Sequence, residues 1–351
     1  MAWVLIHGGT RLSMDVTVAI PTYNGALRLP DVFQKLQRQV KTDAIGWEIL
    51  VIDNNSSDRT QDVVAHYQKT MPQLRYCQEL RQGVGFARDC AFREARGELV
   101  AFLDDDTLPN ADWVSAIAEF AQTHPQAGAY GSRIHADYAV PPPPNFGRIA
   151  CFFAIVDLGS KPQLYRKNSR FLPPGAGVVV RRPVWQEYIP SVSEMTLTGR
   201  ASPAGLPDED LEMLSYIRFS PWEIWYNPAM EITHKIPAAR LERKYLIPFL
   251  RGIGLSSYVT RTMGTKGIKK YVLTLAYLGN DLKKILLHLL KYRTQVRTDL
   301  VAACELEYFT GSLVSPFFLR KAGYLRKKAM TPNALARPFA PSTQRARPPH
   351  H

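Results

Sequence analysis

The stretch Leu99-Val100-Ala101-Phe102-Leu103-Asp104-Asp105-Asp106-Thr107 is a short apolar run that ends in three adjacent carboxylates. A run of this length predicts a buried strand, which cannot continue through charges that would lose their hydration without partners. We therefore expect the acids at the C-terminal end of the strand, where open α/β sheets bind ligands. Clustered carboxylates need neutralising cations, and hard oxygen ligands suit Mg²⁺ or Mn²⁺. A simpler interpretation is a solvated acidic turn before the helix near Trp113.

Strands and helices alternate regularly around this stretch. Predicted strands lie at 16–20, 47–52, 74–77, 178–180, 222–226 and 229–234. Predicted helices lie at 30–40, 60–67, 84–96 and 113–120, and a further helix starts near Asp208. Such alternation is typical of a doubly wound, mostly parallel sheet with helices on both faces.

The ends of the chain differ from this pattern. The 351 residues predict one large domain with an appendage, or two domains, and four scattered cysteines predict free thiols in a reducing compartment. The first residues lack the basic and apolar regions of a convincing signal peptide. We expect residues 1–14 to be an extension, with Met14 as the natural start. Residues 331–351, rich in Pro, Ala and Arg, predict a disordered tail.

Charge is distributed unevenly along the chain. From Lys235 onward there are 22 lysines and arginines against 5 aspartates and glutamates, whereas the preceding residues carry 22 against 26. A basic region of this kind predicts attraction to phospholipid or nucleic acid. Between 238 and 330 the apolar runs are flanked by lysines and stay shorter than a bilayer-spanning helix needs. They predict basic amphipathic helices at a membrane interface or, alternatively, core-packing helices with solvated lysines.

Five motifs occur in a recognisable order. They are Ile20-Pro21-Thr22-Tyr23-Asn24, Ile52-Asp53-Asn54-Asn55-Ser56-Ser57-Asp58, the Gly83 to Arg88 turn, Asp104-Asp105-Asp106, and Glu209-Asp210-Leu211-Glu212. Together they resemble the inverting glycosyltransferases of family 2, which have the Rossmann-like GT-A fold. The resemblance predicts a GT-A domain over 15–237, followed by the basic helical region. The later segments 175–182 and 224–237 are similar to cyanobacterial enzymes that build hormogonium or related extracellular polysaccharide.

The resemblance implies roles for particular residues. Those expected to bind the nucleotide are Pro21, Thr22, Tyr23, Asp53, Arg88, Asp104 and Asp105. Asp106 is expected to hold Mn²⁺ or Mg²⁺, with Asp104 nearby and His234 as a further ligand. A lone histidine is more often a packed or surface residue than a metal ligand, so both interpretations of His234 remain open.

The resemblance also implies the chemistry. Asp210 is expected to be the general base, with Glu209 beside it, although Asp208 precedes them where the family more often has glycine. The expected reaction transfers a sugar from a nucleotide-diphosphate sugar to a hydroxyl of a carbohydrate or lipid-linked saccharide in polysaccharide biosynthesis. An alternative acceptor is a lipid phosphate or a protein.

The expected location is the cytoplasm, peripheral at the inner face of the plasma membrane and in contact with its anionic surface. A more distant alternative is a noncatalytic scaffold or nucleic-acid-binding protein. We expect no nucleic-acid partner, because the aromatic residues of the basic region lie in apolar runs and do not alternate with basic residues.

Overall fold

The structure is a computed structural model that describes residues 14–167, 171–197, 199 and 206–326. The strands are β1 (Val16–Thr22), β2 (Trp47–Asp53), β3 (Leu74–Gln78), β4 (Leu99–Phe102), β5 (Thr107–Pro109), β6 (Ala127–Tyr138), β7 (Gln163–Leu164), β8 (Val179–Arg181) and β9 (Glu223–Ile236). The α-helices are α1 (Leu29–Leu36), α2 (Thr60–Gln68), α3 (Val84–Glu94), α4 (Trp113–Thr123), α5 (Arg182–Tyr188), α6 (Glu209–Arg218), α7 (Arg243–Thr262), α8 (Gly267–Tyr292) and α9 (Leu300–Lys321). The predicted N-terminal extension up to residue 13 and the predicted tail lie outside the described residues.

These strands form one mixed sheet in the order β3-β2-β1-β4-β8-β6-β9-β5, with β7 paired to β9. The pairings among β3, β2, β1 and β4 are all parallel, as the alternation of strands and helices predicts. Beyond β4 the strands β8, β5 and β7 pair antiparallel with their neighbours, whereas β6 and β9 are parallel. Since Val16 pairs with both Trp47 and Leu99, the C-terminal ends of β1, β2 and β4 meet at one edge.

Helices cover both faces of the sheet, because successive strand residues point to opposite sides. On one face Val18 and Ile49 pack with α1, α2 and α4, whose contributions include Phe33 and Trp113. On the other face Leu50 and Val100 pack with α3, α5 and α6. Each fully buried side chain of this kind contributes roughly 1.5–3 kcal/mol relative to exposure. The predicted fold class is confirmed.

Three details differ from the sequence prediction. Helix α1 ends at Leu36, so Val40 lies beyond it, and the Val40 N–H donates to the Ala111 carbonyl instead. The two strands predicted in 222–234 are one strand, β9, with a register irregularity beside β6. The apolar runs at 271–278 and 285–290 belong to the single helix α8, which continues through Gly279 and Asn280 between them.

The three long helices follow the last strand. Helices α7 and α9 cross closely, since a Cβ at Gly254 would lie 2.4 Å from the Tyr308 carbonyl oxygen and one at Gly311 would lie 2.7 Å from that of Arg251. Leu246 and Leu250 of α7 and Val301 of α9 form a separate apolar cluster with Phe153. Among the helices of the described residues, none combines the length and apolar character required to cross a membrane.

Candidate active site

A cavity of about 1750 Å³ opens at the edge where β1 and β4 end. Among the predicted site residues, those that line it are Pro21, Thr22, Tyr23, Arg88, Asp104, Asp105, Asp106, Glu209, Asp210 and His234. The same cavity extends to the C-terminal helices, where Tyr277 of α8 and Tyr308 of α9 line it. Motifs that are far apart in the sequence therefore share one cleft.

Asp105 is held in place by β1 and the segment after it. The Arg28 guanidinium donates to both carboxylate oxygens at 2.8 Å, and the Thr22 hydroxyl donates to Oδ2 at 2.5 Å. Arg28 also donates to the Tyr23 carbonyl oxygen at 3.0 Å. A bidentate arginine–carboxylate pair is both strong and directional. Asp105 thus fixes the 22–28 segment against the end of β4.

Asp106 meets His234 because Thr107 of β5 pairs with His234 of β9. Asp106 Oδ2 lies 3.6 Å from His234 Nε2 and 3.0 Å from Arg240 Nη1. His234 Nδ1 is 2.8 Å from the Phe153 carbonyl oxygen, and Nε2 is 3.2 Å from Arg240 Nη1. The Phe153 carbonyl oxygen can only accept, so Nδ1 carries a proton. Burial lowers the pKa of His234, but the neighbouring Asp106 outweighs this effect, so the net pKa of the ring is above its ordinary value.

Two neighbouring aspartates have opposite pKa shifts. Burial, and then the charge of Asp106, raise the pKa of Asp104 to about 6 against the opposing effect of Arg88. Burial also raises the pKa of Asp106, but His234, Arg240 and Arg28 outweigh it, so its net pKa is below the ordinary value. The site therefore keeps Asp106 ionised. The ionised form of Asp104 is unfavourable here, and a bound cation would stabilise it.

The first turn of α6 brings its acids to the other side of the cleft. The Gly175 N–H donates to Asp210 Oδ2 at 2.6 Å, and the Leu211 N–H donates to Oδ1 at 2.9 Å. Arg88 Nη1 donates to Glu209 Oε1 at 2.9 Å. A Cβ at Gly175 would lie 2.0 Å from Arg88 Nη2, so any side chain at this position would displace the Arg88 guanidinium. Asp210 is oriented by two backbone donors, whereas Glu209 is engaged by Arg88.

The loop before α6 contains a strained residue. Asp208 has φ of +77°, a left-handed conformation that glycine adopts more easily. Its carboxylate accepts a hydrogen bond from the Ser256 hydroxyl of α7. This hydrogen bond offsets part of the backbone strain at Asp208, a position where the family more often has glycine. It also connects the α6 loop to the C-terminal helices.

Asp53 lies at the end of β2 and is not among the residues that line the cavity. Its oxygens accept from the Ser56 N–H and the Tyr76 hydroxyl, each at 2.8 Å. Its neighbour Asn54 does line the cavity, and Asn54 Oδ1 accepts from the Gly83 N–H at 2.7 Å. Asn54 therefore couples the end of β2 to the start of α3, where Arg88 lies.

The residues around Asp106 fit a divalent cation in part. Among the described residues, no three His, Cys, Asp or Glu side chains form a complete metal site. A carboxylate and an imidazole nitrogen 3.6 Å apart nevertheless provide a donor pair, and the hydrogen bond from Nδ1 to a carbonyl is the usual outer support of a histidine ligand. Mn²⁺ and Mg²⁺ commonly take one or two protein ligands together with water and substrate phosphate oxygens.

Arg28, Asn54 and Arg240 are three site residues that the sequence reasoning missed. Arg28 and Arg240 lie outside the motifs. Each contacts an aspartate that is distant in the sequence, and local sequence patterns do not report such contacts. Asn54 belongs to the motif after the second strand, from which the resemblance gives a role to Asp53 alone. Its position directly after a buried strand, like that of Asp104, was the available signal.

Comparison with known proteins gives a family match and several relatives. Residues 17–188 match the family model described as Glycosyl transferase family 2. An uncharacterized glycosyltransferase of the cyanobacterium Nostoc is 29% identical over 50% of this chain and 54% of its own length. A GalNAc(5)-diNAcBac-PP-undecaprenol beta-1,3-glucosyltransferase of Campylobacter jejuni is 37% identical over 26% of this chain and 29% of its own. The chain thus spans about half or less of the curated relatives it matches.

A solved structure supports the fold. The mannosyltransferase PcManGT of Pyrobaculum calidifontis, crystallised with GDP-Man and Mn²⁺, superposes with a TM-score of 0.54 at 18% identity and covers 86% of this chain and 87% of its own. At this identity the likeness concerns the fold alone. The family match and the sheet together show that residues 17–188 form a glycosyl transferase family 2 domain with the GT-A fold.

Proposed function

We propose that the protein transfers a sugar from a nucleotide-diphosphate sugar to an acceptor hydroxyl, with inversion at the anomeric carbon. The observation that carries this proposal is that Asp106 and Asp210 line one cavity together with the end of β1. A displacement of this kind needs a base for the acceptor and neutralisation of the departing diphosphate. Carboxylates of two separate elements in one cleft supply groups for both tasks.

Asp210 is the proposed base. Its two oxygens are oriented by the N–H groups of Gly175 and Leu211, and each oxygen retains a lone pair for a further hydrogen bond. As the acceptor oxygen bonds to the anomeric carbon, its proton passes to Asp210. The bond from that carbon to the diphosphate oxygen breaks, and the electron pair leaves with the diphosphate. Glu209 acts indirectly by holding Arg88.

The donor end of the site has a consistent assignment. Pro21, Thr22 and Tyr23 line the proposed nucleotide pocket, and Arg88, whose Nε has no hydrogen-bond partner among the described residues, is a cation that interacts with both Asp104 and Asp210. Asp53 is the proposed acceptor for the nucleobase, although in this structure it does not line the cavity and Asn54 beside it does. Asp105 supports this end through Arg28 and Thr22.

Asp106 and His234 would hold Mn²⁺ or Mg²⁺, with Asp104 close by. When bound, the cation supplies positive charge to the diphosphate leaving group. Arg240 contacts both Asp106 and His234. Its positive charge neutralises and orients the Asp106 carboxylate when the donor is absent.

For the acceptor we propose a carbohydrate or lipid-linked saccharide in polysaccharide biosynthesis, at the inner face of the plasma membrane. The Campylobacter relative is named for an undecaprenol-linked saccharide, which supports this choice. The cavity of about 1750 Å³ extends to Tyr277 and Tyr308 of the C-terminal helices and provides room for a large acceptor. A lipid phosphate or a protein is the alternative acceptor.

The test is a panel of UDP-, GDP- and dTDP-sugars, scored by thermal shift with and without Mn²⁺. We expect one donor to raise the melting temperature, and to do so more with the metal, because binding to the native state stabilises it. A chain that is folded and that shifts with no donor would contradict the proposal.

A further inference from the structure

Helix α8 carries a continuous apolar face that the rest of the described chain leaves exposed. Its residues Ile268, Val272, Leu275, Leu282, Leu286 and Leu290 recur at helical spacing and are between 49% and 82% exposed. We call this set the α8 stripe. At a rise of 1.5 Å per residue it extends for about 33 Å. The opposite face, with Asp281, Ile285 and His288, is buried against the rest of the molecule.

The exposed surface of α8 beside this stripe is basic. Lys269, Lys283 and Lys291 are exposed and lie on one side of the α8 stripe at the helical spacing of 100° per residue. The acidic residue of α8 is Asp281, which is 1% exposed and accepts from Arg261 Nη1 at 2.6 Å. The outward surface of the helix therefore combines apolar side chains with positive charge.

Helix α8 also contributes to the cavity. Tyr277, Asn280 and Lys284 of α8 line it, as do Tyr308 and Phe309 of α9. At 100° per residue these α8 residues lie away from the α8 stripe, on the side of Lys291, so a surface in contact with the stripe would lie about one helix diameter, ~10 Å, from this end of the cavity.

We infer that the α8 stripe docks on an anionic lipid bilayer and brings the α8 end of the cavity to the headgroup layer, where a membrane-borne acceptor enters. An amphipathic helix with lysines beside its apolar face lies in the membrane interface. The alternative occupant is a second copy of the chain. Two facing copies would bring their lysines together, whereas anionic headgroups neutralise them. This inference rests on the proposed function for the identity of the acceptor but not for the docking itself.

The experiment measures flotation of the full chain with vesicles of phosphatidylcholine alone and with 30% phosphatidylglycerol. The stripe variant is Leu275→Ser/Leu286→Ser. The matched control is Leu80→Ser/Val140→Ser, which removes two exposed apolar side chains elsewhere on the molecule. A charge variant, Lys269→Gln/Lys283→Gln, tests the basic side. Circular dichroism and analytical ultracentrifugation report folding and oligomeric state.

We expect the wild type and the control to bind the anionic vesicles, the stripe variant to bind at least tenfold more weakly, and the charge variant to lose the preference for phosphatidylglycerol. The docking inference is overturned if the wild type binds no vesicles, if control and stripe variants lose binding equally, or if the stripe variant converts a dimer to a monomer. Donor thermal shifts, measured on the same proteins without vesicles, separate this result from the proposed function, because we expect them to be equal in all variants.

Discussion

Most apolar residues of the sheet are buried, whereas many apolar residues of helix α8 are exposed. In the sheet, runs such as 99–103 are buried and their ends become the site, whereas the apolar residues of α8 remain exposed over six turns of helix. The difference lies in the neighbours: β1 and β4 have strands on both sides and helices on both faces, while α8 packs through one face only. The sequence therefore shows which segments are apolar, but the packing of neighbouring elements decides which of them become buried.

The largest expected effect concerns the acids at the end of the sheet. Asp210→Asn removes the proposed base, and we expect turnover to fall by about 10²–10⁴-fold, the usual contribution of general-base catalysis. Donor affinity should change little, since the asparagine keeps an oxygen for the Gly175 N–H. Initial rates and donor titration measure both quantities. Asp112→Asn, a change away from the cavity, is the control, and full turnover in the Asp210 variant would reassign the base.

The second effect concerns the cation pair. His234→Ala removes an imidazole donor 3.6 Å from Asp106, and we expect Mn²⁺ affinity in the presence of the nucleoside diphosphate to fall about ten- to hundredfold. Isothermal titration calorimetry is the measurement. His135→Ala is the matched control, because His135 lies on the adjacent strand β6 and pairs with Glu231 instead. Equal Mn²⁺ affinity in both variants would exclude His234 as a ligand.

The third effect tests the helical region without touching the donor end. Gly254→Ala places a methyl group 2.4 Å from the Tyr308 carbonyl, and we expect a loss of about 1–3 kcal/mol in the free energy of unfolding, because backbone must move. Gly279→Ala, with no atom within 4 Å of its Cβ among the described residues, should be neutral or stabilising. Chemical denaturation compares them, and equal stability would contradict the close α7–α9 crossing.

The smallest effect concerns the free energy of unfolding, which the ionised Asp104 of the site lowers. An aspartate titrates near 3.9 in an unfolded chain, whereas Asp104 titrates at about 6 when folded. The folded state thus binds this proton more tightly, and stability falls as the pH rises from about 4 through 6. Asp104→Asn should raise the ligand-free stability by ~1–2 kcal/mol at pH 7.5 and have no such effect at pH 4. Thermal unfolding at both pH values measures the difference, and an equal effect at both would contradict the shift.

Much of the fold and the site was accessible from the sequence, for local reasons. The β-branched run 16–20, the turn residues after it and the acids after Leu103 are patterns over a few residues, and each became the element or strand end that it predicts. Motif order predicted the family. The likeness to cyanobacterial enzymes agrees with the Nostoc relative. Of the two interpretations of the basic helices, core packing describes α7 and α9, which contribute to an apolar cluster. Helix α8 exposes its outer face, and the membrane-interface interpretation stays a prediction.

The sequence by itself determined where strands begin, where they end in acids, and which helices are basic and amphipathic, because backbone preference and periodicity act between near neighbours. The tertiary structure alone decided that Arg240 contacts Asp106, that Arg28 holds Asp105, and that Cys77 Sγ lies 3.5 Å from Cys90 Sγ although the chain separates them. Those contacts depend on strand register and helix packing, which bring distant residues together only when the whole sheet has formed.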